Sequence, residues 1–160
     1  MYAQVIERLG ETHIWLAVKE MPEGAQTILL VEDEKFVREV TCEVLQLGGY
    51  RVLSAKNSRE AGFIYEQCGT DVDLLLTDVI LPGETGLALA CRLRRENKGL
   101  KILLVTGYAM QMELRELPPE EVLAKPFSSE TLLKRIRHLL KGEGPERENE
   151  DSIRRAYGAA

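Results

Sequence analysis

Hydrophobic positions between residues 27 and 141 alternate between two patterns. Short unbroken apolar runs, such as Ile28-Leu29-Leu30-Val31, are typical of strands buried on both faces. Between these runs, apolar residues recur every three or four positions, as they do along a helix that packs one face on a core. The alternation predicts five strands, each followed by a helix, with the strands at 28–31, 50–55, 73–78, 101–106 and 122–125.

Glycine, proline and capping residues mark where the predicted helices begin and end. The first helix stops at Gly48-Gly49, because glycine is common just past a helix end. Asn57 and Glu60 have the spacing of a capping box at the start of the second helix. The third helix ends near residue 97. A short fourth helix fits between 109 and 117, before Pro118-Pro119, and the fifth helix contains the apolar stripe from 132 to 140.

Strict alternation of buried strands with helices favours a parallel sheet. Parallel strands need crossover connections, and right-handed crossovers place helices on both faces of the sheet. We therefore predict an α/β domain with a doubly wound, five-stranded parallel sheet. In such folds ligands bind beyond the carboxyl ends of the strands, so the functional residues are sought there.

Composition limits the classes of function. The 160 residues suit one domain with extensions, and 44% hydrophobic residues are enough for a core. A formal charge of -5 argues against non-specific binding to nucleic acid or to anionic lipid. No apolar run approaches the ~18 residues of a membrane span and the N-terminus lacks a signal-peptide pattern, so we expect a cytoplasmic location. Three cysteines without metal-ligand spacing predict reduced, partly buried thiols at Cys42, Cys68 and Cys91.

Charged and hydroxyl side chains stand at the carboxyl ends of four predicted strands. Glu32 and Asp33 follow the first, Asp78 ends the third, Thr106 ends the fourth and Lys125 ends the fifth. We expect the three carboxylates to converge, and two like charges about 5 Å apart repel by roughly 3 kcal/mol at an effective dielectric near 20. Such a group needs a cation, and hard oxygen ligands that leave room for water and phosphate favour Mg2+.

These groups are the components of phosphoryl transfer: an aspartate as nucleophile, with a metal and a lysine that neutralise charge on the transferred group. Asp78 is the better nucleophile candidate, because it stands alone before a loop whose Pro82, Gly83 and Gly86 allow a tight backbone path. Glu32 and Asp33 form a pair suited to holding a metal.

Four motifs stand in order on the expected elements: Val31-Glu32-Asp33-Glu34, Thr77-Asp78-Val79-Ile80-Leu81-Pro82 with Gly86, Val105-Thr106-Gly107-Tyr108, and Lys125-Pro126-Phe127. Together they resemble the motifs of the response regulator receiver domain of two-component signalling. Each motif alone is a weak signal, whereas the ordered set is specific. The resemblance covers residues 27–141, which we take as the domain, and it implies the flavodoxin-like strand order 2-1-3-4-5.

The resemblance also implies a role for each acidic residue. Asp78 would receive a phosphoryl group from a phosphohistidine on a histidine kinase or a histidine phosphotransfer protein. Asp33, Asp78 and the backbone carbonyl of Ile80 would bind Mg2+, and Glu32 would help through a water molecule. The chain would thus be a signalling phosphoacceptor that catalyses only its own phosphorylation and dephosphorylation.

Two further roles follow from the same resemblance. Lys125 would pair with the phosphoryl group through its ammonium, and the Lys125-Pro126 peptide would be cis. Thr106 would move to meet the phosphoryl group, so that the surface around the helix after the fourth strand, and around the fifth strand, changes.

Several positions depart from the family pattern. Val122 stands where many receivers have an aromatic residue, and Lys125 follows Thr106 by only 19 positions, which predicts a truncated or irregular helix between them. Glu84 occupies a position that is usually Met or Leu. Ile80 and Tyr108 are bulky residues that flank the phosphorylation site, and we hypothesise that they shield the acyl phosphate from water.

The two ends of the chain fall outside the domain. The strand-like segment 13–18 in the extension 1–26 weakly resembles the closing strand of a histidine kinase ATP-binding domain, which predicts the C-terminal receiver of a hybrid sensor kinase. An equally open interpretation is an extension that packs on the receiver or pairs with a second copy. Residues 142–160 are charged and lack a periodic apolar face, as a flexible tail does.

Three functions can be compared on these residues. A phosphoacceptor in a His-to-Asp relay fits the complete acidic, threonine and lysine set, and it implies a kinase or phosphotransfer partner and no nucleic acid. A homodimer through the N-terminal extension, or through the face of the fourth predicted helix and fifth strand, is compatible with it. A phosphorylation-independent interaction module is the alternative, and a haloacid-dehalogenase-type phosphatase is disfavoured because the first strand is not followed by a DxD motif.

Overall fold

The computed structural model describes residues 24–68, 71–107, 114 and 117–141. The predictions for the extension before residue 24 and for the tail after residue 141 lie outside these residues. The short helix predicted between 109 and 117 also lies outside them, apart from residues 114 and 117.

The described chain alternates strands and helices as predicted. In chain order the elements are β1 (Thr27–Val31), α1 (Lys35–Leu47), β2 (Arg51–Ala55), α2 (Ser58–Cys68), β3 (Leu74–Asp78), α3 (Gly86–Glu96), β4 (Lys101–Thr106), a 3-10 helix (Pro119–Glu121), β5 (Val122–Ala124) and α4 (Ser129–Lys141). The strands form one parallel sheet in the order β2-β1-β3-β4-β5. The predicted fold class and the strand order are confirmed.

Two hydrophobic clusters lie on opposite faces of the sheet. Because successive residues of a strand point to opposite faces, Leu29 and Val31 pack with α2 and α3, while Ile28 and Leu30 pack with α1 and α4. All five residues of β1 are buried. This burial on both faces is why residues 28–31 of the strand are an unbroken apolar run, and why charged side chains appear only after the strand ends.

The predicted capping box at the start of α2 is present with one difference. The backbone N–H of Glu60 donates to Asn57 Oδ1 at 2.9 Å, as the pattern predicts. The Glu60 carboxylate, in turn, accepts from the backbone N–H of Lys56 at 2.8 Å rather than from that of Asn57. The reciprocal pair of bonds fixes where the chain turns from β2 into α2.

The connection into β5 is held by two arginines. Pro119 begins a 3-10 helix, and Arg94 of α3 binds Glu121 of that helix with two hydrogen bonds, of 2.6 and 3.2 Å. Arg135 of α4 donates to the carbonyl oxygen of Pro119 at 2.8 Å. Because β5 follows at once, these contacts fix the strand that delivers Lys125 to the sheet edge.

Two remaining predictions are tested by the described residues. Cys42 and Cys68 carry half-buried free thiols, as expected, but Cys91 is exposed because it lies on the outer face of α3, so the prediction was wrong for that residue. Within the described ranges, no helix combines the length and the apolar character needed to cross a membrane.

Candidate functional site

Three of the predicted side chains meet at the carboxyl edge of the sheet. The Lys125 ammonium donates a hydrogen bond to Asp78 Oδ2 at 2.5 Å, and it lies 3.7 Å from Glu32 Oε2. The Asp78 and Glu32 side chains are only 14% and 10% exposed, whereas the Lys125 side chain is 37% exposed. Two nearly buried carboxylates therefore share one partly exposed ammonium.

The sheet register places these groups. Asp78 is the last residue of β3 and pairs with Val105, while Thr106 at the end of β4 pairs with Ala124. The backbone N–H of Lys125 donates to the carbonyl oxygen of Thr106 at 2.8 Å, and the Lys125-Pro126 peptide is cis, as the resemblance implied. The chain thus leaves β5 with Lys125 held beside the end of its neighbouring strand.

Each oxygen of the Asp78 carboxylate has a donor. Oδ2 accepts from Lys125, and Oδ1 accepts from the backbone N–H of Ile80 at 2.9 Å. Charge-assisted hydrogen bonds of this kind fix both the position and the rotamer of a carboxylate. The side chain of Asp78 is accordingly oriented before any ligand binds.

The loop after Asp78 passes very close to α3. The backbone N–H of Gly86 donates to the carbonyl oxygen of Val79 at 2.9 Å, and a methyl group at Gly86 would collide with the carbonyl oxygen of Asp78 and would approach Thr77 Oγ1 to 2.8 Å. Glycine is therefore required at this position by close approach of two backbone segments. The sequence prediction of a tight backbone path is confirmed for Gly86.

Burial dominates the electrostatics of Glu32. Loss of solvent raises the pKa of its carboxyl above the ordinary value of 4.5, and the charges of Asp78 and Asp33 raise it further. The hydrogen bond from the backbone N–H of Glu34 and the charge of Lys125 oppose the shift. The ionised form of Glu32 is thus only partly compensated by protein groups.

Lys125 shows the opposite balance. Burial alone would lower the pKa of its ammonium, but the hydrogen bond to Asp78, the charge of Asp78 and the charge of Glu32 outweigh it and raise the pKa above 10.5. The ammonium stays charged at neutral pH, and its contribution to stability is lost only as the pH rises beyond that range.

Asp33 lies at the exposed rim of the site. Its side chain lines a cleft of about 420 Å³ between the β2–α2 loop and the β3–α3 loop. In the parts of the chain that the structure describes, no three His, Cys, Asp or Glu side chains lie close enough to form a metal-binding group by themselves. A cation site built from the predicted residues would therefore need backbone or water oxygen as well.

The remaining predicted residues lie at the same edge. Thr106 is fully buried, and its hydroxyl donates to the carbonyl oxygen of Gly107 at 3.1 Å. Ile80 is 62% exposed, although its backbone N–H is held by Asp78. Val122 is half-buried at the start of β5, and Tyr108 lies outside the described residues.

Sequence reasoning missed two arginines near the site. Arg92 of α3 binds the Glu84 carboxylate with hydrogen bonds of 2.9 and 3.2 Å, and Ser58 Oγ donates to the Glu84 carbonyl oxygen at 2.8 Å, so the β3–α3 loop is tied to two helices. Arg38 of α1 donates to the backbone of the β1–α1 loop. The charge of Glu84, unusual at its position, was the only sequence signal for the first contact.

Parallel strands in the order 2-1-3-4-5, with an aspartate and a lysine paired at their carboxyl edge, define a receiver-type fold and site. Residues 28–137 match the response regulator receiver domain family, and the chain belongs to that family. Domains of this family are signalling phosphoacceptors rather than classical enzymes.

Curated relatives include both kinases and transcriptional regulators. Sensor kinase CckA of Brucella abortus is 37% identical over 121 residues, which are 74% of this chain and 13% of the kinase. The phosphate regulon transcriptional regulatory protein PhoB of Pseudomonas aeruginosa is 32% identical over 125 residues, which are 75% of this chain and 54% of that protein. The chain spans about half the length of PhoB and a small part of the kinase CckA.

Solved structures of response regulators and receiver domains are also similar to this chain. The receiver domain of the hybrid histidine kinase CckA is similar with a TM-score of 0.56 at 35% identity, over 71% of this chain and 98% of that one. Response regulator protein TrrA of Thermotoga maritima, solved in complex with Mg(2+)-BeF, is similar with a TM-score of 0.62 at 31% identity, over 72% and 99% of the two chains.

Proposed function

We propose that this domain accepts a phosphoryl group on Asp78 from a phosphohistidine of a histidine kinase or a histidine phosphotransfer protein. The observation that carries the proposal is the 2.5 Å contact between the Lys125 ammonium and Asp78 Oδ2 at the carboxyl edge of the sheet. A carboxylate that is nearly buried, oriented by two donors and open on one side to solvent is suited to act as a nucleophile.

In the proposed reaction, one carboxylate oxygen of Asp78 forms a bond to phosphorus while the phosphorus–nitrogen bond of the phosphohistidine breaks. The departing imidazole nitrogen keeps the electron pair and takes up a proton. Lys125 first fixes the carboxylate and then pairs with an oxygen of the transferred group. Such preorganised charge stabilisation accounts for most of the catalysis in phosphoryl transfer.

The Glu32 and Asp78 carboxylates share one ammonium, and the Asp33 carboxylate lies at the rim of the same edge, so the edge keeps excess negative charge that a divalent cation would neutralise. The donors are carboxylate and carbonyl oxygens, the ligands that Mg2+ prefers. Asp33, Asp78 and the backbone carbonyl of Ile80 would hold the ion, and Glu32 would act through water. When bound, Mg2+ would supply neutralisation of charge on the phosphoryl oxygens. The complex of TrrA with Mg(2+)-BeF supports this assignment.

Thr106 would report the phosphorylation. Its hydroxyl lies at the same edge as Asp78 and is satisfied by the neighbouring carbonyl of Gly107. A phosphoryl group brings about -1.5 to -2 charge and new acceptor oxygens, which a threonine hydroxyl can bind in place of a carbonyl. We propose that this exchange of partners changes the surface formed by the end of β4 and by β5.

We propose that the receiver domain comprises residues 27–141. We also propose that the phosphoryl group on Asp78 is lost slowly by hydrolysis. Similarity to sensor kinase CckA supports the hybrid-kinase interpretation, and similarity to PhoB supports a receiver of a response regulator. A homodimer and a cytoplasmic location stay predictions.

The proposal is tested by incubating the protein with acetyl phosphate, with and without Mg2+, and following intact mass. We expect the addition of one phosphoryl group that requires Mg2+ and is removed by hydroxylamine, as an acyl phosphate is. Absence of uptake by a folded protein in saturating Mg2+ would instead support the phosphorylation-independent interaction module.

A further inference from the structure

Arg38 reaches back from α1 to the loop that carries the acidic pair. Its Nη1 donates to the carbonyl oxygen of Glu32 at 2.7 Å and lies 3.3 Å from the carbonyl oxygen of Asp33 as a second acceptor. The side chain is half-buried, so these contacts are partly shielded from water. One guanidinium nitrogen therefore binds the backbone of Glu32 and Asp33, two of the three residues whose carboxylates are assigned to the cation site.

The other hydrogen bonds of the β1–α1 loop hold it mainly on the side next to β2. Glu34 is the N-cap of α1, and within the described part of the chain its side chain makes no capping hydrogen bond. Its backbone N–H is instead bound by the Glu32 carboxylate at 3.1 Å. The N–H of Glu32 donates to the Ala55 carbonyl at 3.1 Å, which anchors the side of the loop next to β2. On the α1 side, within the described residues, the Arg38 side chain holds the loop through its contacts with the two carbonyl oxygens.

The chemistry of the contact suits a supporting role. Both acceptors are backbone carbonyl oxygens, so the guanidinium fixes the loop without occupying the carboxylate oxygens. An arginine presents several donors in a rigid planar fork, whereas a lysine presents a mobile point charge. Groups that orient metal ligands in this way typically change metal affinity by 10- to 100-fold when they are removed.

We propose that Arg38 is a positioning residue for the cation site: by binding the carbonyls of Glu32 and Asp33 it holds their carboxylates where Asp78 can share an ion with them. The proposal rests on the proposed function. A loss of charge alone would have the opposite effect on affinity, because removal of a positive charge beside an acidic site would by itself strengthen cation binding.

The test is the affinity for Mg2+, measured by calorimetry on wild type, Arg38→Met, Arg38→Lys and Arg95→Met. Methionine keeps a long flexible stem but cannot donate, and Arg95 is an exposed arginine of α3 that serves as the control for lost charge. We expect Arg38→Met to bind Mg2+ about 10-fold more weakly or worse, Arg38→Lys to recover part of the loss, and Arg95→Met to match wild type.

Two further readouts separate positioning from general damage. At saturating Mg2+, phosphorylation of Arg38→Met by acetyl phosphate is expected within about threefold of wild type, because the reacting groups are intact. In chelator, hydrogen exchange at the amides of Asp33 and Glu34 is expected to accelerate while that of β3 does not.

Unchanged or tighter Mg2+ binding by Arg38→Met overturns the positioning role, provided that wild type binds the ion. If Arg38→Met does not fold, Arg38→Lys decides alone, since it retains the charge but its side chain is one bond shorter and does not place a donor where Nη1 meets both carbonyls: wild-type affinity then counts against the proposal. Failure of wild type itself to bind Mg2+ would refute the proposed function and not merely this inference.

Discussion

Gly86, the first residue of α3, lies against the backbone carbonyl of Asp78 so closely that the structure has no room for a side chain between them. The contact couples the start of a helix to the residue that we assign as the phosphoacceptor. Gly62 in α2 provides a contrast, since a methyl group there would meet only the tip of the Arg92 side chain, at 3.3 Å.

Gly86→Ala is therefore expected to destabilise the protein and to displace Asp78. The cost should be about 2 kcal/mol, because the methyl group can be accommodated only by a shift of backbone. Phosphorylation by acetyl phosphate should slow by about 10-fold or more as the carboxylate moves from its donors. Urea unfolding and intact-mass kinetics measure the two effects.

Gly62→Ala is the matched control for that change. Alanine favours the helix by about 1 kcal/mol over glycine, and the tip of Arg92 needs to shift only slightly, within reach of its hydrogen bonds to Glu84, so stability should be equal or higher. The phosphorylation rate should be unchanged. Equal behaviour of the two alanine variants would contradict the assignment of Gly86 as a close-packed support of the acceptor.

Lys125→Met separates cation binding from phosphoryl transfer. Removal of the ammonium leaves the Glu32 and Asp78 carboxylates without their shared positive charge, so Mg2+ should bind as tightly as in wild type or several-fold more tightly. Phosphorylation at saturating Mg2+ should nevertheless fall by about 10-fold or more, since the charge that meets the phosphoryl group is lost. Calorimetry and mass spectrometry give the two numbers.

Lys101→Met is the control for Lys125→Met, because Lys101 is an exposed lysine at the opposite end of the sheet. It should leave both quantities unchanged. Weaker Mg2+ binding by Lys125→Met would argue that the lysine organises the cation site rather than the phosphoryl group.

Glu32→Gln should stabilise the metal-free protein. The pKa of Glu32 is raised above 4.5 in the folded state, chiefly by burial, so ionisation of this group costs stability once the pH exceeds the folded pKa. Glutamine keeps an acceptor for the Glu34 N–H and removes the charge. Near neutral pH, in chelator, we expect the free energy of unfolding of Glu32→Gln to exceed that of wild type.

The sign of the pH dependence provides the check on Glu32. Below the unfolded pKa the glutamate is protonated in both states, so the advantage of Glu32→Gln should disappear as the pH falls toward about 4. A gain that is independent of pH, or a loss of stability at neutral pH, would show that burial of this carboxylate is already compensated.

Ile80→Asn should shorten the life of the phosphorylated form. Ile80 follows Asp78 by two residues and is 62% exposed, a position from which its side chain can hinder the approach of water to an acyl phosphate. We expect hydrolysis to accelerate by about threefold to tenfold, the effect of roughly 1 kcal/mol on the barrier. Leu47→Asn, at a residue of α1 that is 87% exposed, is the control. Equal lifetimes of wild type and Ile80→Asn would reject shielding by this residue.

The fold could be predicted because its strong signals are local. The apolar runs of β1 and β3, the glycines after α1 and the capping pair of Asn57 and Glu60 each act through neighbours in sequence, and all appear where expected. The strand order and the cis Lys125-Pro126 peptide needed the family resemblance, since pairing between distant strands has no local pattern.

The candidate site was predicted less completely than the fold. Asp78, Lys125 and Glu32 were placed together correctly, because each ends or follows a parallel strand. Arg38 was missed, since a helix arginine whose side chain turns back to main-chain carbonyls leaves no sequence pattern. The pairing of Glu84 with Arg92 depends on the path of a loop and the rotation of a helix, and a sequence alone does not specify either.

The most direct test of the account is the location of the phosphoryl group. Protein treated with Mg2+ and a phosphodonor is reduced with borohydride, which converts an aspartyl phosphate to homoserine, and the peptides are sequenced by mass spectrometry. The account predicts conversion at Asp78 in wild type and none in Asp78→Asn. Conversion at another aspartate, or uptake of phosphate that survives in folded Asp78→Asn at the wild-type level, would contradict it.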